Sequence, residues 1–256
     1  MGTSKAINSV DFKPTRPFRA VVASEDNSVC YFEGPPFKWK KSLNEHDRFV
    51  NCIRFAPNGE RYASGGADGK LIIYDGKTGD KLNEIGKPAH AGGIYSLCWD
   101  PTSQRILTAS GDKTAKLWNA ESGELIREFN FGNTVEDQQV GCLWQGSTVL
   151  TVSLSGFINY LDINNGANSI IKVVKGHSKS ITALAVANIY GKSMIYSASH
   201  DGLIIAWNSE TGEMDSVKGN QHKSQVQQLA FLNGVLVSCA YDDTLKFIDP
   251  NSNQYT

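Results

Sequence analysis

Short apolar runs separated by polar turns recur along this chain. Around Ser110 the pattern is plain. Ile106, Leu107 and Ala109 lead into Ser110; Gly111, Asp112 and Lys113 form a break; Ala115, Leu117 and Trp118 resume beyond it, with Lys116 on the opposite face. This predicts two strands around a tight turn. The same Ser-x-Asp-x5-Trp register recurs as Ser24/Asp26/Phe32, Gly66/Asp68/Tyr74, Ser110/Asp112/Trp118, Ser153/Ser155/Leu161, Ser199/Asp201/Trp207 and Ala240/Asp242/Ile248. The marks lie 41 to 46 residues apart, and the last position is always large and apolar or aromatic.

A second periodicity supports the first. His46, His90, His177 and His222 precede the Asp marks by 20 to 24 residues. The fourth residue after each histidine is apolar (Val50, Ile94, Ile181, Val226), as are the seventh (Ile53, Leu97, Leu184, Leu229) and the ninth (Phe55, Trp99, Val186, Phe231). Each copy then predicts a second strand, a third ending at the Trp-like mark, and a turn such as Asp75-Gly76 or Thr211-Gly212 into a fourth. Repeats of this length with four strands each are the WD-repeat pattern of an all-β propeller, in which a single four-stranded unit cannot bury both faces and needs neighbours. The expected units are roughly 5–44, 45–87, 88–131, 132–174, 175–219 and 220–256, forming one propeller domain.

The histidines follow from that frame. A His near a Ser and an Asp suggests a hydrolase triad, but here the arrangement repeats at structural positions. We expect His90, Ser110, Asp112 and Trp118 to form one hydrogen-bonded set inside a blade, and His177, Ser199, Asp201 and Trp207 another. Units two and six keep part of the set, and unit four has neither its His nor its Asp. No polar cluster stands outside these sets and no metal-ligand spacing is present, so we expect no enzyme and no cofactor.

Composition narrows the function classes. Of the 256 residues 40% are hydrophobic and 20% charged, with a net charge of −1, which gives no general pull toward nucleic acid or an anionic membrane. The longest apolar runs, such as Leu203 to Trp207, are too short to span a bilayer, and Met1 to Ala6 has no secretory apolar region. Five cysteines (Cys30, Cys52, Cys98, Cys142, Cys239) sit in strand-like runs with no CxxC pair, which reads as free thiols in a reducing compartment. The first unit starts at its inner strand, Ile7 to Phe12, and Gln254 to Thr256 are too few for a good fourth strand in the sixth. We expect six consecutive units, cut from a larger propeller or leaning on missing segments.

Function is sought where the copies differ. In Phe32-Glu-Gly-Pro-Pro-Phe-Lys-Trp-Lys-Lys41, Pro35-Pro36 predicts an extended bend, and Lys38, Trp39, Lys40 and Lys41 fall on an outer strand. An aromatic flanked by lysines on an edge is either a contact surface or ordinary edge protection. Phe49 stands where the other copies have Gly93, Ser180 and Gln225, which makes it a candidate anchor. Glu25 precedes the structural Asp26 and is free to face solvent. Asn133 to Trp144 replaces the histidine lead-in of unit four with a polar segment, Glu136-Asp-Gln-Gln139, which either serves binding or, as we expect, supplies the hydrogen bonds that the missing His and Asp would have made.

These irregular stretches resemble the actin-interacting protein 1 family of WD-repeat proteins. The matching strings are Ile7-Asn-Ser-Val-Asp11, Phe32-Glu-Gly-Pro-Pro-Phe-Lys38, Tyr74-Asp-Gly-Lys-Thr-Gly79, Asp137-Gln-Gln-Val-Gly-Cys-Leu-Trp144, Ser153-Leu-Ser-Gly-Phe-Ile-Asn-Tyr-Leu-Asp162 and Gly176-His-Ser-Lys-Ser-Ile181. The resemblance implies part of the first of two seven-bladed propellers, incomplete by comparison. It implies a cytoplasmic, cytoskeletal protein that binds actin filaments together with cofilin and promotes their disassembly without catalysis, nucleic acid or membrane. It further implies a binding surface at Glu25, Lys38, Trp39 and Phe49, with Glu25 and Trp39 standing where the family commonly has Asp and Phe. The alternative is a generic WD scaffold for another assembly.

Overall fold

The computed structural model describes residues 3–164, 170–177, 179–189 and 192–256. They form six four-stranded antiparallel sheets, each joined in simple sequence order. Sheet one is β1 (Ile7–Phe12), β2 (Arg19–Ser24), β3 (Val29–Glu33) and β4 (Lys38–Leu43). Sheet two is β5 (Val50–Phe55), β6 (Arg61–Gly66), β7 (Leu71–Asp75) and β8 (Lys81–Ile85). Sheet three is β9 (Ile94–Trp99), β10 (Arg105–Ser110), β11 (Thr114–Asn119) and β12 (Leu125–Asn130). Sheet four is β13 (Gln139–Gln145), β14 (Thr148–Ser153), β15 (Phe157–Leu161) and β16 (Ile170–Lys175). Sheet five is β17 (Ile181–Ile189), β18 (Lys192–Ser199), β19 (Ile204–Asn208) and β20 (Met214–Ser216). Sheet six is β21 (Val226–Leu232), β22 (Val235–Ala240), β23 (Leu245–Asp249) and β24 (Gln254–Tyr255). The last two residues named do make a fourth strand, a short one, where the sequence suggested too little chain.

Burial explains the apolar runs. The second strands of the first three sheets, Arg-Ala-Val-Val-Ala-Ser, Arg-Tyr-Ala-Ser-Gly-Gly and Arg-Ile-Leu-Thr-Ala-Ser, are buried at every position after the arginine. A strand covered on both faces reads as a continuous apolar run and loses its alternation. The outer strand β4, Lys-Trp-Lys-Lys-Ser-Leu, is exposed or half-buried throughout, and its lysines blunt an open edge.

The chain divides into two compact units. The first comprises residues 1–149 and 163–169, the second 150–162 and 170–256. Within the first, Val21, Ala23 and Tyr31 of sheet one pack against Ile53, Phe55, Tyr62 and Tyr74 of sheet two. Ala63, Leu71 and Ile73 of sheet two pack in turn against Leu97, Trp99, Ile106 and Trp118 of sheet three. Within the second, Ala183, Ala185, Tyr196 and Ala206 pack against Leu229, Leu236 and Ile248.

The turn between second and third strands is built the same way six times. The residue after each mark has positive φ: Asn27 67°, Gly69 77°, Lys113 70°, Gly156 85°, Gly202 84° and Asp243 57°. Glycine serves three of these at no steric cost, while Lys113 accepts a left-handed conformation that costs about 1–2 kcal/mol. The Gly34–Phe37 segment is a tight turn with cis bonds before Pro35 and Pro36, in place of the extended bend the two prolines suggested.

Candidate interaction surface

The four repeated histidines are buried. In sheet three, Asp112 Oδ2 lies 2.8 Å from His90 Nδ1 and accepts the Ala91 N–H at 3.1 Å. An ionised carboxylate can only accept, so Nδ1 carries a proton, and in the neutral ring Nε2 is the acceptor. Nε2 is 2.7 Å from Thr108 Oγ1, and Trp118 Nε1 donates to that same oxygen at 3.0 Å. The protons therefore run in one direction, from Trp118 to Thr108 to His90 to Asp112.

The hydroxyl at the centre is Thr108, which corrects the expectation for Ser110. The Ser110 hydroxyl donates to Gly93 O at 3.0 Å and accepts from the Asp112 N–H at 3.1 Å, so it tightens the turn beside the set. Sheet five repeats the correction. Trp207 Nε1 donates to Ser197 Oγ at 2.6 Å, and that oxygen is 2.7 Å from His177 Nε2. Ser199 instead donates to Lys179 O at 3.2 Å, while Asp201 Oδ1 accepts the Leu203 N–H at 3.0 Å.

The same two-residue shift fills the sets that looked partial. Ser64 Oγ is 2.7 Å from His46 Nε2 and 3.3 Å from Tyr74 OH, and Asp68 holds Nδ1 at 3.1 Å. In sheet six Ser238 Oγ is 2.8 Å from His222 Nε2 and Asp242 Oδ2 is 3.0 Å from Nδ1, with Ile248 in the Trp position. Sheet one has no histidine; Ser4 N–H donates to Asp26 Oδ2 at 2.7 Å in its stead. In sheet four the segment before β13 forms a short 3-10 turn, the Thr134 hydroxyl donates to Asp137 at 2.7 Å, and Gln139 is fully buried.

Burial pushes the Asp112 carboxyl up, but hydrogen bonds from His90 and Thr114 outweigh it and hold the group well below the usual carboxylate range. Both nitrogens of His46, His90 and His222 are engaged, so none is positioned as a base toward solvent. All five cysteines are free, and burial raises the Cys52 thiol to about 12. Among the described residues no cluster of His, Cys, Asp or Glu is arranged to hold a metal ion, and no helix is long and apolar enough to cross a membrane.

The four candidate binding residues divide into two groups. Glu25 is half-buried in the β2–β3 turn, with its N–H on Ala6 O at 2.9 Å. Phe49 is 45% exposed in the loop that leads into β5. Asn27 of the β2–β3 turn donates to Asp47 O at 3.1 Å, so this turn and this loop share one end of sheet one. Lys38 and Trp39 open β4 and pair with Glu33 and Phe32 at the other end. Val29 pairs with Leu43 at the Glu25 end, three residues along β3 from Phe32, or roughly 10 Å of strand.

Trp39 is 43% exposed, and its Nε1 donates to Ser42 Oγ at 3.2 Å. Beside it the sequence reading missed an aromatic pair: Phe12 and Phe37 meet edge to face at 5.4 Å, and both are exposed. Of the β4 lysines, Lys41 pairs with Asp80, and Lys40 stands 3.8 Å from Glu33.

Comparison with known proteins bears on this geometry. The family described as WD domain, G-beta repeat matches residues 37–75, 82–119 and 168–208. The WD repeat-containing protein 1 of Gallus gallus is 50% identical over 257 residues, covering 100% of this chain and 42% of that protein. A Drosophila melanogaster protein named Actin-interacting protein 1 is 48% identical over 255 residues, covering 100% of this chain and 41% of that protein. The chain thus spans under half the length of these relatives. The crystal structure of a computationally designed protein, Ika8, superposes with a TM-score of 0.79 at 22% identity over 99% of this chain and 74% of that one, a likeness of fold alone. The fold class is the all-β WD40 propeller.

Proposed function

Because this chain matches the actin-interacting protein 1 and WD repeat-containing protein 1 family from end to end, we propose that it is a non-catalytic binding module that engages actin filaments together with cofilin and promotes their disassembly in the cytoplasm. The observation that carries the reading is 48% identity along the whole chain to a protein named for its interaction with actin. The geometry is compatible with it. Exposed Trp39 and Phe49 are the large aromatics that break the repeat pattern, and exposed aromatics without a structural task are common anchors of protein interfaces. Glu25 and Lys38 flank them with opposite charge. The histidine sets are internal fastenings, and the reading assigns no chemistry to them.

Cosedimentation of the 256-residue chain with actin filaments, with and without cofilin, tests this. We expect the chain to pellet with cofilin-decorated filaments. Trp39→Ala and Phe49→Ala each lower the bound fraction while circular dichroism and thermal unfolding stay as in the wild type. A chain that stays in the supernatant under both conditions refutes the function. Binding that neither variant weakens refutes the assignment of the surface.

A further inference from the structure

The loop between β4 and β5 is held at several points. The Asp47 N–H donates to Asp68 Oδ2 at 2.8 Å, and the Asp47 carbonyl accepts from Asn27 at 3.1 Å. The Asp47 carboxylate pairs with Lys70 at 2.7 Å. The Phe49 carbonyl accepts the Ala67 N–H at 2.8 Å. His46 on one side belongs to the buried set, and Val50 on the other is fully buried in the core. The side chains of Arg48 and Phe49 are not among the groups that hold the loop.

Those two project at a shallow hollow of about 340 Å³ lined by Asn27, Asp47, Arg48, Phe49 and Ala67. Arg48 is exposed, and among the described residues its guanidinium makes no ion pair or hydrogen bond. Lys5 lies over the Phe49 ring at 5.8 Å and is likewise without an anionic partner. Three of the carboxylates nearby are already engaged, Asp47 by Lys70, Asp68 by His46 and Asp26 by Ser4 and Ser28, and Glu25 of the β2–β3 turn makes no ion pair with Arg48 or Lys5. The corresponding loops read Ala91-Gly92-Gly93 in sheet three and Lys223-Ser224-Gln225 in sheet six. Neither places a cation beside an aromatic.

We propose that Arg48 is the specificity-determining residue of this end of the surface, and that the hollow receives a partner segment carrying a carboxylate next to an apolar side chain. Phe49 and Ala67 take the apolar group. Arg48 takes the carboxylate in a bidentate pair, and Lys5 adds a second positive charge across the ring. The loop is fixed before the partner arrives, so little ordering cost falls on binding. This rests on the binding reading given above and names the partner chemistry it requires.

Binding of the full chain to cofilin-decorated actin filaments, measured across a range of sodium chloride concentrations, tests the proposal. Arg48→Glu reverses the charge without touching a contact that holds the loop, so thermal unfolding is unchanged. The expected result is a loss of about tenfold or more in affinity at low salt together with a flatter salt dependence. Arg48→Lys keeps the charge but not the fork, and recovers only part of the loss. If Phe49→Ala weakens binding and Arg48→Glu does not, the carboxylate-binding role is overturned while the actin reading stands. If neither variant weakens binding, the docking role of this end of the surface is overturned while the actin reading stands, and only a chain that fails to bind at all overturns both.

Discussion

Replacing Thr108 with valine changes one buried hydroxyl into a methyl of nearly the same shape. Thr108 is 0% exposed. Its oxygen accepts from Trp118 Nε1 at 3.0 Å and stands 2.7 Å from His90 Nε2. The substitution leaves an indole N–H and an imidazole lone pair buried without partners. Each stranded group costs about 1–3 kcal/mol, or about 2–6 kcal/mol for the two. The added methyl returns about 0.8 kcal/mol, leaving a net destabilisation of roughly 1–5 kcal/mol.

Ser110→Ala is the control. It removes a hydroxyl that donates to Gly93 O, but the same carbonyl still accepts the Gly111 N–H at 2.9 Å. The expected cost is about 0.5–1.5 kcal/mol. Native-state hydrogen exchange of the β10 and β11 amides reads the local effect, and denaturant melts read the global one. A double-mutant cycle of Thr108→Val with Trp118→Phe should show coupling above about 0.5 kcal/mol, because both changes act on one network. If Ser110→Ala costs as much as Thr108→Val, or if Thr108→Val is silent, the proton path from Trp118 to Asp112 is wrong.

Two further changes probe the same sets. Gly66→Ser would bring the sequence of sheet two closer to that of sheet three, yet a Cβ at Gly66 would stand 2.5 Å from both Asp68 Oδ1 and His46 Nδ1; we expect a loss of about 1–3 kcal/mol in denaturant melts, and a gain in stability would overturn the packing argument. For acid sensitivity, burial holds the His177 imidazole below the usual histidine value, against a smaller opposing pull from Asp201. The unfolded chain therefore takes up the proton more readily, so this contribution is present above about pH 6.5 and lost as pH falls below it toward the depressed folded value. The lowered carboxyls of Asp68 and Asp112 act in the same direction, but their contributions are lost only below about pH 4. Exchange protection in sheet five should thus fall at a higher pH than in sheet three, and the reverse order would refute this.

Six strand quartets were legible in the sequence because middle strands such as β2 and β10 are buried on both faces, which writes an unbroken apolar run into the chain. The marks were legible because a turn with a left-handed residue after an Asp tolerates few side chains. The hydroxyl of each set was not. Residues 108 and 110 lie on one face of the same strand, two apart, and both can carry a hydroxyl. Thr108 reaches the histidine while Ser110, beyond the shift in the β9–β10 register between Ala109 and Ser110, bonds the turn instead, and nothing in the local sequence announces it. The shared variation was the available clue: positions 64, 108, 197 and 238 are Ser or Thr, whereas 66, 110, 199 and 240 wander to Gly and Ala. Arg48 was passed over for a different reason. Its interest lies in lacking a partner, and that is a property of where Lys70, Asn27 and Asp68 end up after folding.

The division of the candidate surface bears on how a partner meets it. Glu25, Arg48 and Phe49 share one end of sheet one, while Trp39, Lys38 and the Phe12–Phe37 pair sit at the other. The outer strand β4 runs between them, with an exposed edge and its Lys41 already paired to Asp80. Sites separated by about 10 Å with no shared hydrogen bonds contribute independently within about 0.5 kcal/mol. A partner that touches both ends at once must therefore lie along β4, and the free-energy losses of Trp39→Ala and Phe49→Ala then add in the double variant. A partner that uses one end leaves one of the two single variants silent. Strong non-additivity would require a shared contact that strand spacing does not allow.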